Sequence, residues 1–176
     1  QAEAVFVRLI ELEPNDADAH FNLGVTHQRN GKPGPAAEQY TQALTLDSEH
    51  VDAEINLAAV CLTLRDYATS VIFCDRVLKR DPKNTQAQLW RGRAHAQLGN
   101  MDEAGRQLKA LLSTSPSDPM FATEWGIYLV MLGRYDEALI ALEMVLKSDP
   151  GQTKAARLVV SVLLELGRFD EAAAKT

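Results

Sequence analysis

The 176-residue chain carries 18 Lys and Arg residues against 24 Asp and Glu residues, a formal net charge of −6, and 46% of its residues are apolar. The apolar share is enough to build a buried core, whereas an acidic chain lacks the basic surface that supplies most nucleic-acid affinity. No apolar run approaches the roughly 20 residues that span a bilayer, so we expect neither a nucleic-acid partner nor membrane insertion.

A repeated segment sets the organisation of the chain. LGRYDEA at 132–138 recurs as LGNMDEA at 98–104 and as LGRFDEA at 166–172, each 34 residues away. A fixed period of that size is the signature of stacked helix-turn-helix units rather than of one compact domain. The sequence therefore predicts an all-α solenoid of tandem antiparallel helix pairs.

The turn within each unit has a physical explanation. Gly133 follows one helix and can adopt a left-handed conformation at no steric cost. Asp136 and Glu137 then lie in the first turn of the next helix, where negative charge suits the positive end of the helix dipole, and Pro150 ends that helix. We also expect Gly126 and Ala138 to mark a close crossing of the two helices.

The period divides the sequence in chain order. Residues 1–16 supply the second helix of a partial unit, full repeats follow, and a partial unit ends the chain; the full repeats are 17–50, 51–84, 85–118 and 119–152, and the final part is 153–176. Pro33 and Pro35 replace the usual acidic opening of one second helix, so we expect that helix to start late. Arg91 stands where the other repeats have an apolar residue, and we expect its stem to pack inside with its head at the edge.

Both ends of the sequence lack the polar capping unit that solenoids carry. We therefore expect residues 1–176 to form a single solenoid that is a fragment of a longer array. Ala2, Phe6 and Leu9 at one end, and Leu163 and Leu166 at the other, lack a covering neighbour. Exposed apolar ends of this kind would favour end-to-end association between copies of the chain.

Small residues recur in step with the period. Gly24, Ala58, Gly92 and Gly126 share one place in successive repeats. The pattern resembles the tetratricopeptide repeat over essentially the entire chain, and the family's preferred residues are present in NLG at 22–24, Tyr40 and Ala43. The resemblance implies a right-handed superhelix that binds other proteins along its concave surface and catalyses nothing itself.

The first helix of each repeat carries the candidate binding stripe. Four of its places face the second helix, so helical geometry leaves the opposite stripe for other contacts, and in the family that stripe lines the concave groove. The candidate groove residues are Phe21, Asn22, Ile55, Asn56, Leu89, Trp90, Arg93, Met120, Ile127, Met131, Lys154 and Arg157. An apolar stripe of this kind suggests a binding surface with Trp90 as its anchor. The alternative is that these residues pack against neighbouring first helices.

The residues that could carry chemistry have structural explanations. His27 and His95 take the same place two repeats apart, too far to share a metal ion. The repeated carboxylate pairs lie at helix starts, where they complement the dipole. Cys61 and Cys74 are expected to be free, buried thiols that act as small hydrophobes. We therefore expect no catalytic residue, no metal site and no cofactor.

The leading hypothesis is an interaction module that holds an extended or helical segment of a partner protein in its groove. Acidic Asp18 and Asp52 at one end, and basic Lys154 and Arg157 at the other, would orient that segment. A second hypothesis is the substrate-recruiting arm of a larger enzyme. A third is a self-associating assembly factor, as in bacterial secretion, pilus or polysaccharide-export machines.

Overall fold

The computed structural model describes residues 2–175, and within them the chain forms eleven α-helices and no strand. In chain order the helices are α1 (Ala2–Leu12), α2 (Ala17–Arg29), α3 (Pro33–Leu46), α4 (Val51–Thr63), α5 (Tyr67–Arg80), α6 (Thr85–Gln97), α7 (Met101–Thr114), α8 (Pro119–Met131), α9 (Tyr135–Ser148), α10 (Thr153–Glu165) and α11 (Phe169–Ala173). The prediction of an all-α fold is confirmed.

The helices belong to two compact units, an N-terminal unit (Gln1–Gly99) with α1 to α6 and a C-terminal unit (Asn100–Thr176) with α7 to α11. Within each unit every helix packs against the next one along the chain. The first helices of successive pairs also contact one another, α2 with α4, α4 with α6, and α8 with α10. The boundary between the units lies inside the third predicted repeat, so the division of the chain into repeats stays a prediction.

The turns between paired helices share one backbone conformation. Gly31, Gly99, Gly133 and Gly167 have φ values of 70°, 80°, 70° and 71°, and Arg65 occupies the equivalent position with φ 63°. Glycine adopts this left-handed conformation without steric cost, whereas a side chain strains it. The packing of the helix pair therefore imposes the turn even where the local residue does not favour it.

Side-chain caps recur at the start of the first helices. Asp16, Asn84 and Asp118 accept hydrogen bonds from backbone N–H groups at 3.0, 2.9 and 2.8 Å. The Nδ1 atom of His50 accepts from the N–H of Ala53 at 3.3 Å. Each cap satisfies one of the backbone donors that a helix leaves unpaired at its N-terminus. These caps define where α2, α4, α6 and α8 begin.

The prediction that the second helix of the first full repeat starts late is wrong. Helix α3 begins at Pro33, 34 residues before Tyr67, at which α5 begins. Proline is tolerated there because the N–H groups of the first turn have no partner within the helix. Pro33 and Pro35 therefore replace the acidic opening without displacing the helix.

Small residues on the first helices allow the paired helices to approach closely. A Cβ atom added at Gly24 would lie 2.7 Å from the ring of Tyr40, and one added at Gly126 would lie 2.7 Å from the side chain of Leu142. The close neighbour of Gly126 is thus Leu142, although Ala138 is also fully buried. Both glycines occupy positions where a side chain would overlap the second helix.

Two other expectations concern individual side chains. Arg91 places its Nε atom 2.6 Å from Oδ1 of Asp75, with 27% of its side chain exposed, which confirms a packed stem and a head at the edge. Leu163 is 1% exposed and belongs to the core of the C-terminal unit together with Ala172 of α11. The prediction that Leu163 lacks cover is therefore wrong, because α11 packs against α10.

Candidate functional site

Phe21 and Asn22 of α2 are half-buried in the N-terminal unit. The Phe21 ring centre lies 5.8 Å from that of Tyr40 and 4.8 Å from that of His50. The side-chain amide of Asn22 donates to the backbone oxygen of Asp18 at 2.8 Å. Both side chains are thus held in place by their own unit, and each keeps part of its surface exposed.

Of the predicted groove residues, α4 carries Ile55 and Asn56, and α6 carries Leu89. Ile55 is 6% exposed and Leu89 is fully buried, so neither is available as a direct contact for a partner. For these two residues the alternative holds, namely that they pack inside the unit. Asn56 is half-buried and hydrogen-bonds the side chain of Tyr40. Burial raises the pKa of Tyr40 to about 12, and the bond from Asn56 partly offsets that rise.

Trp90 of α6 is half-buried and packs against a cluster that contains Ile55, Val77 and Ala87. The guanidinium carbon of Arg93 lies 5.1 Å from the centre of its ring, at the distance of a cation–π contact. The indole Nε1 atom is buried and has no hydrogen-bond partner among residues 2–175. Trp90 therefore combines a packed face with an unused donor, and removing it would cost stability as well as any binding energy.

The C-terminal unit presents a more exposed stripe. On α8, Met120 and Met131 are 47% and 37% exposed. Ile127 of the same helix is half-buried. On α10, Lys154 places its Nζ atom 2.6 Å from Oε1 of the buried Glu124, and Arg157 is exposed. This stripe offers flexible thioethers next to basic groups.

The structure divides the twelve predicted groove residues between the units. Phe21, Asn22, Ile55, Asn56, Leu89, Trp90 and Arg93 lie in the N-terminal unit, and Met120, Ile127, Met131, Lys154 and Arg157 lie in the C-terminal unit. Each unit therefore has its own first-helix face. We use this name for the exposed and half-buried members of the stripe on α2, α4 and α6 in one unit, and on α8 and α10 in the other.

The sequence analysis did not identify a charged group between α4 and α5. Glu54 is fully buried, and Arg76 and Arg80 of α5 both pair with it. The repeat at 51–84 is the one full repeat with an acidic residue at this place, since the equivalent residues are His20, Gln88 and Ala122. That difference, combined with the two arginines on the following helix, was the available signal.

Both cysteine side chains are shielded from solvent. Cys61 and Cys74 are free and buried, as predicted. Burial raises the pKa of the Cys61 thiol to about 11 and that of Cys74 to about 12, so both are protonated at neutral pH and are poor nucleophiles. Among residues 2–175, no three His, Cys, Asp or Glu side chains are placed to hold a metal ion, and no helix has the length and apolar character to cross a membrane.

Comparison with known families gives matches along most of the chain. Models of the tetratricopeptide repeat match residues 5–36, 26–85, 73–119 and 123–175. The chain is 36% identical over 106 residues to the FK506-binding protein-like protein of Homo sapiens, an alignment that covers 56% of this chain and 30% of that protein. It is 33% identical over 70 residues to the peptidyl-prolyl cis-trans isomerase FKBP42 of Arabidopsis thaliana, covering 40% and 19%. The chain thus spans less than a third of the length of these relatives.

Solved structures share the fold. A thermophilic repeat protein of Thermus thermophilus superposes with a TM-score of 0.82 at 20% identity, covering 90% of this chain and 87% of that one. A protein from Parabacteroides merdae gives 0.81 at 21% identity, covering 99% and 69%. YrrB, described as having an unusual peptide-binding site, gives 0.64 at 21% identity, covering 97% and 88%. At these identities the likeness shows the fold alone.

Proposed function

Because the chain belongs to the tetratricopeptide repeat family, whose members serve as protein-interaction scaffolds, we propose that it is a non-catalytic module that binds a segment of a partner protein. Each unit offers its first-helix face as a binding surface. The observation that carries this proposal is the stripe of the C-terminal unit, where Met120 and Met131 expose 47% and 37% of their surface beside the exposed Arg157.

Apolar contacts in the C-terminal unit supply the affinity. Methionine side chains are flexible and polarisable, so they adapt to different apolar partners. Arg157 and Lys154 add positive charge at the same face, although Lys154 is already bonded to Glu124. This unit therefore favours a segment that carries large apolar residues and a carboxylate.

The N-terminal unit has the opposite charge preference. Asp18 and Asp52 are exposed on its first helices, and His50 lies 3.3 Å from Asp18. A basic group of the partner would find carboxylates here, and complementary charge of this kind acts chiefly on association rate and specificity. On the same unit, the half-buried Phe21 and Trp90 offer aromatic surface.

The test begins with capture of bound peptides and their identification by mass spectrometry, followed by titration calorimetry with the synthetic peptide. The double variant Met120→Ala/Met131→Ala is expected to weaken binding by about tenfold or more, as loss of apolar anchors does. Ile72→Ala is the matched control, because Ile72 is 57% exposed on a second helix. Equal affinity in the double variant, with a loss in Ile72→Ala, would overturn the proposal.

Trp90→Ala is also expected to weaken binding by about tenfold. Its effect must be read together with a stability measurement, because Trp90 packs on Ile55 and Val77. Arg157→Glu should weaken the binding of a peptide that carries a carboxylate. It should leave the folded state unchanged, since Arg157 is exposed.

A second candidate is the recruiting arm of a larger protein with an activity of its own. The observation that favours it is that the matched part of the Arabidopsis isomerase FKBP42 covers 19% of that protein. On this proposal the repeats bring a client to a catalytic part elsewhere in the same polypeptide. A complete reading frame that encodes these repeats and no catalytic domain would rule it out.

A further inference from the structure

The N-terminal unit fills the space beside α4 and α5 with charged groups. Glu54 of α4 is fully buried. The Nε atom of Arg76 lies 2.8 Å from its Oε1 atom, and Arg80 hydrogen-bonds its Oε2 atom. A buried carboxylate needs such partners because the loss of hydration would otherwise be strongly unfavourable.

The same arginines reach the turn that follows α3. Arg76 donates to the backbone oxygen of Ser48 at 3.2 Å, and Arg80 lies 3.5 Å from Oε2 of Glu49. The guanidinium carbon of Arg76 also lies 5.6 Å from the ring centre of Phe73. One aromatic ring and two arginine side chains thus occupy this place in the N-terminal unit.

The equivalent place in the C-terminal unit is an open cavity. Two periods after Ser48, Glu49, Glu54, Phe73, Arg76 and Arg80, the chain has Pro116, Ser117, Ala122, Ala141, Met144 and Ser148. All six of these residues line a cavity of ≈ 490 Å³. Every side chain of the charged network has been replaced by an uncharged one, and Phe73 by the much smaller Ala141.

The cavity has an apolar floor and an exposed apolar rim. Trp125 and Leu129 of α8 form part of the floor. Ile140 and Met144 of α9 stand at the rim with 62% and 66% of their surface exposed. Of the described residues that line the cavity, Glu137 is the one with a charge, and Arg134 binds both of its carboxylate oxygens at 2.7 and 2.6 Å.

We propose that this cavity is a second binding site, which accepts a large apolar side chain, preferentially an aromatic ring, from a segment of a partner protein. The N-terminal unit indicates what fits, because the residue two periods before Ala141 is Phe73, whose ring lies beside Arg76 of the charged network. With Glu54 replaced by Ala122, the cavity holds no buried carboxylate that would select a cation. Its charge and shape therefore match an uncharged, bulky group.

The size and position of the cavity agree with this assignment. Ligand sites of proteins span about 300 to 1,000 Å³, and aromatic anchors in such pockets carry much of the energy of an interface. Trp125 and Leu129 lie on the other side of α8 from Met120, Ile127 and Met131. Binding here is therefore independent of the first-helix face and of the function proposed for it.

The proposal is tested with N-acetylphenylalaninamide as the probe, in an NMR titration of the methyl groups of the intact chain. Saturable shifts are expected at Ala122, Ala141 and Met144, with a dissociation constant of about 1 mM for a probe of this size. N-acetylglycinamide, which lacks the ring, should shift none of them. Shifts of Met120 and Met131 alone, or no saturable shift, would overturn the proposal.

Two variants introduce residues of the N-terminal unit at the equivalent positions of the cavity. Ala141→Phe and, separately, Ser148→Arg fill the space with the residues found at 73 and 80. Each is expected to weaken probe binding by about tenfold or more, and the second serves if the first folds poorly. Unchanged affinity in a folded variant would show that the probe binds elsewhere.

A peptide-display selection tests whether a protein segment supplies the ring. Peptides retained by the wild-type chain and lost on the filled variant should share a Phe, Trp or Leu residue. Enriched peptides without a large apolar residue would contradict the proposal. A concentration-dependent dimer of the wild-type chain that Ala141→Phe abolishes would also overturn it, because a second copy of the chain would then be the occupant.

Discussion

Helix pairs α4–α5 and α8–α9 have the same lengths, 13 and 14 residues, but hold themselves together differently. The first pair encloses a buried Glu54 with Arg76 and Arg80. The second pair has Ala122, Met144 and Ser148 at those places and leaves a cavity. The comparison teaches that the repeat requires small residues at helix crossings and a left-handed turn, whereas the space next to α4 or α8 can be filled or left open.

The largest expected loss of stability comes from removing the two cationic partners of the buried Glu54 carboxylate. Arg76→Met with Arg80→Ser introduces the residues of the second pair but leaves Glu54 without its cations. Removing the partners of a buried charge costs about 3 to 5 kcal/mol, and we expect the lower end because the arginine side chains are 44% and 31% exposed. Urea unfolding, followed by the fluorescence of Trp90 in a Trp125→Phe background, measures the loss in the N-terminal unit.

The control for this experiment is the triple variant that adds Glu54→Ala, so that all three charged positions carry the residues of the second pair. With no buried charge left, it should recover a large part of the lost stability, because an ion pair replaced by apolar groups is often close to neutral. A triple variant as unstable as the double one would show that packing rather than charge holds this place together.

The second effect contrasts the two helix crossings. Gly24→Ala would place a Cβ atom against the ring of Tyr40, whose hydroxyl donates to Gln28 at 2.6 Å, so the ring cannot move freely. Gly126→Ala would meet the flexible side chain of Leu142. Overpacking costs about 1 to 3 kcal/mol, and the higher helix propensity of alanine returns up to about 1 kcal/mol.

We therefore expect a net loss of about 1 to 2 kcal/mol for Gly24→Ala and a smaller change for Gly126→Ala. Urea midpoints of the two variants, read from Trp90 and Trp125 respectively, test the order. Equal losses would indicate that Tyr40 is as free to adjust as Leu142.

The sequence was sufficient to predict the helix pairs, because their signals are local and periodic. The glycines at 31, 99, 133 and 167 all have positive φ, and the helices follow the 34-residue spacing. The cap positions Asp16, Asn84 and Asp118 share that period, so they could have been found from the same alignment of repeats.

The candidate site was harder to predict, because burial depends on how neighbouring helices pack. Leu89 has a helical place like that of the half-buried Phe21, yet it is fully buried. The cavity beside Ala141 escaped prediction for a different reason. It arises from several residues that are each ordinary in sequence, and they become significant only when the network around Glu54 shows what can occupy their place.

A third, smaller effect concerns the turns. Arg65 holds the left-handed conformation that glycine occupies in the other turns. Arg65→Gly should therefore stabilise the N-terminal unit by about 1 kcal/mol, and Gly133→Ala should destabilise the C-terminal unit by a similar amount. Thermal or urea unfolding of both variants measures these two changes in stability. A loss of stability in Arg65→Gly would mean that the arginine side chain makes a contribution that outweighs the strain of its backbone.

The smallest effect is a pH dependence confined to one unit. Both cysteines lie in the N-terminal unit, and burial raises the pKa of Cys61 to about 11 and of Cys74 to about 12 from 9.0. As the pH rises through 9, the unfolded chain loses its thiol protons while the folded chain keeps them, so the free energy of unfolding falls. At pH 9 the loss should amount to less than about 1 kcal/mol relative to pH 7, because only about half of the thiols of the unfolded chain have ionised at that pH. The urea midpoint reported by Trp90 should shift, whereas that reported by Trp125 should not, and Cys61→Ala with Cys74→Ala should remove the difference. A shift that persists in this double variant would have to come from another titrating group of the N-terminal unit.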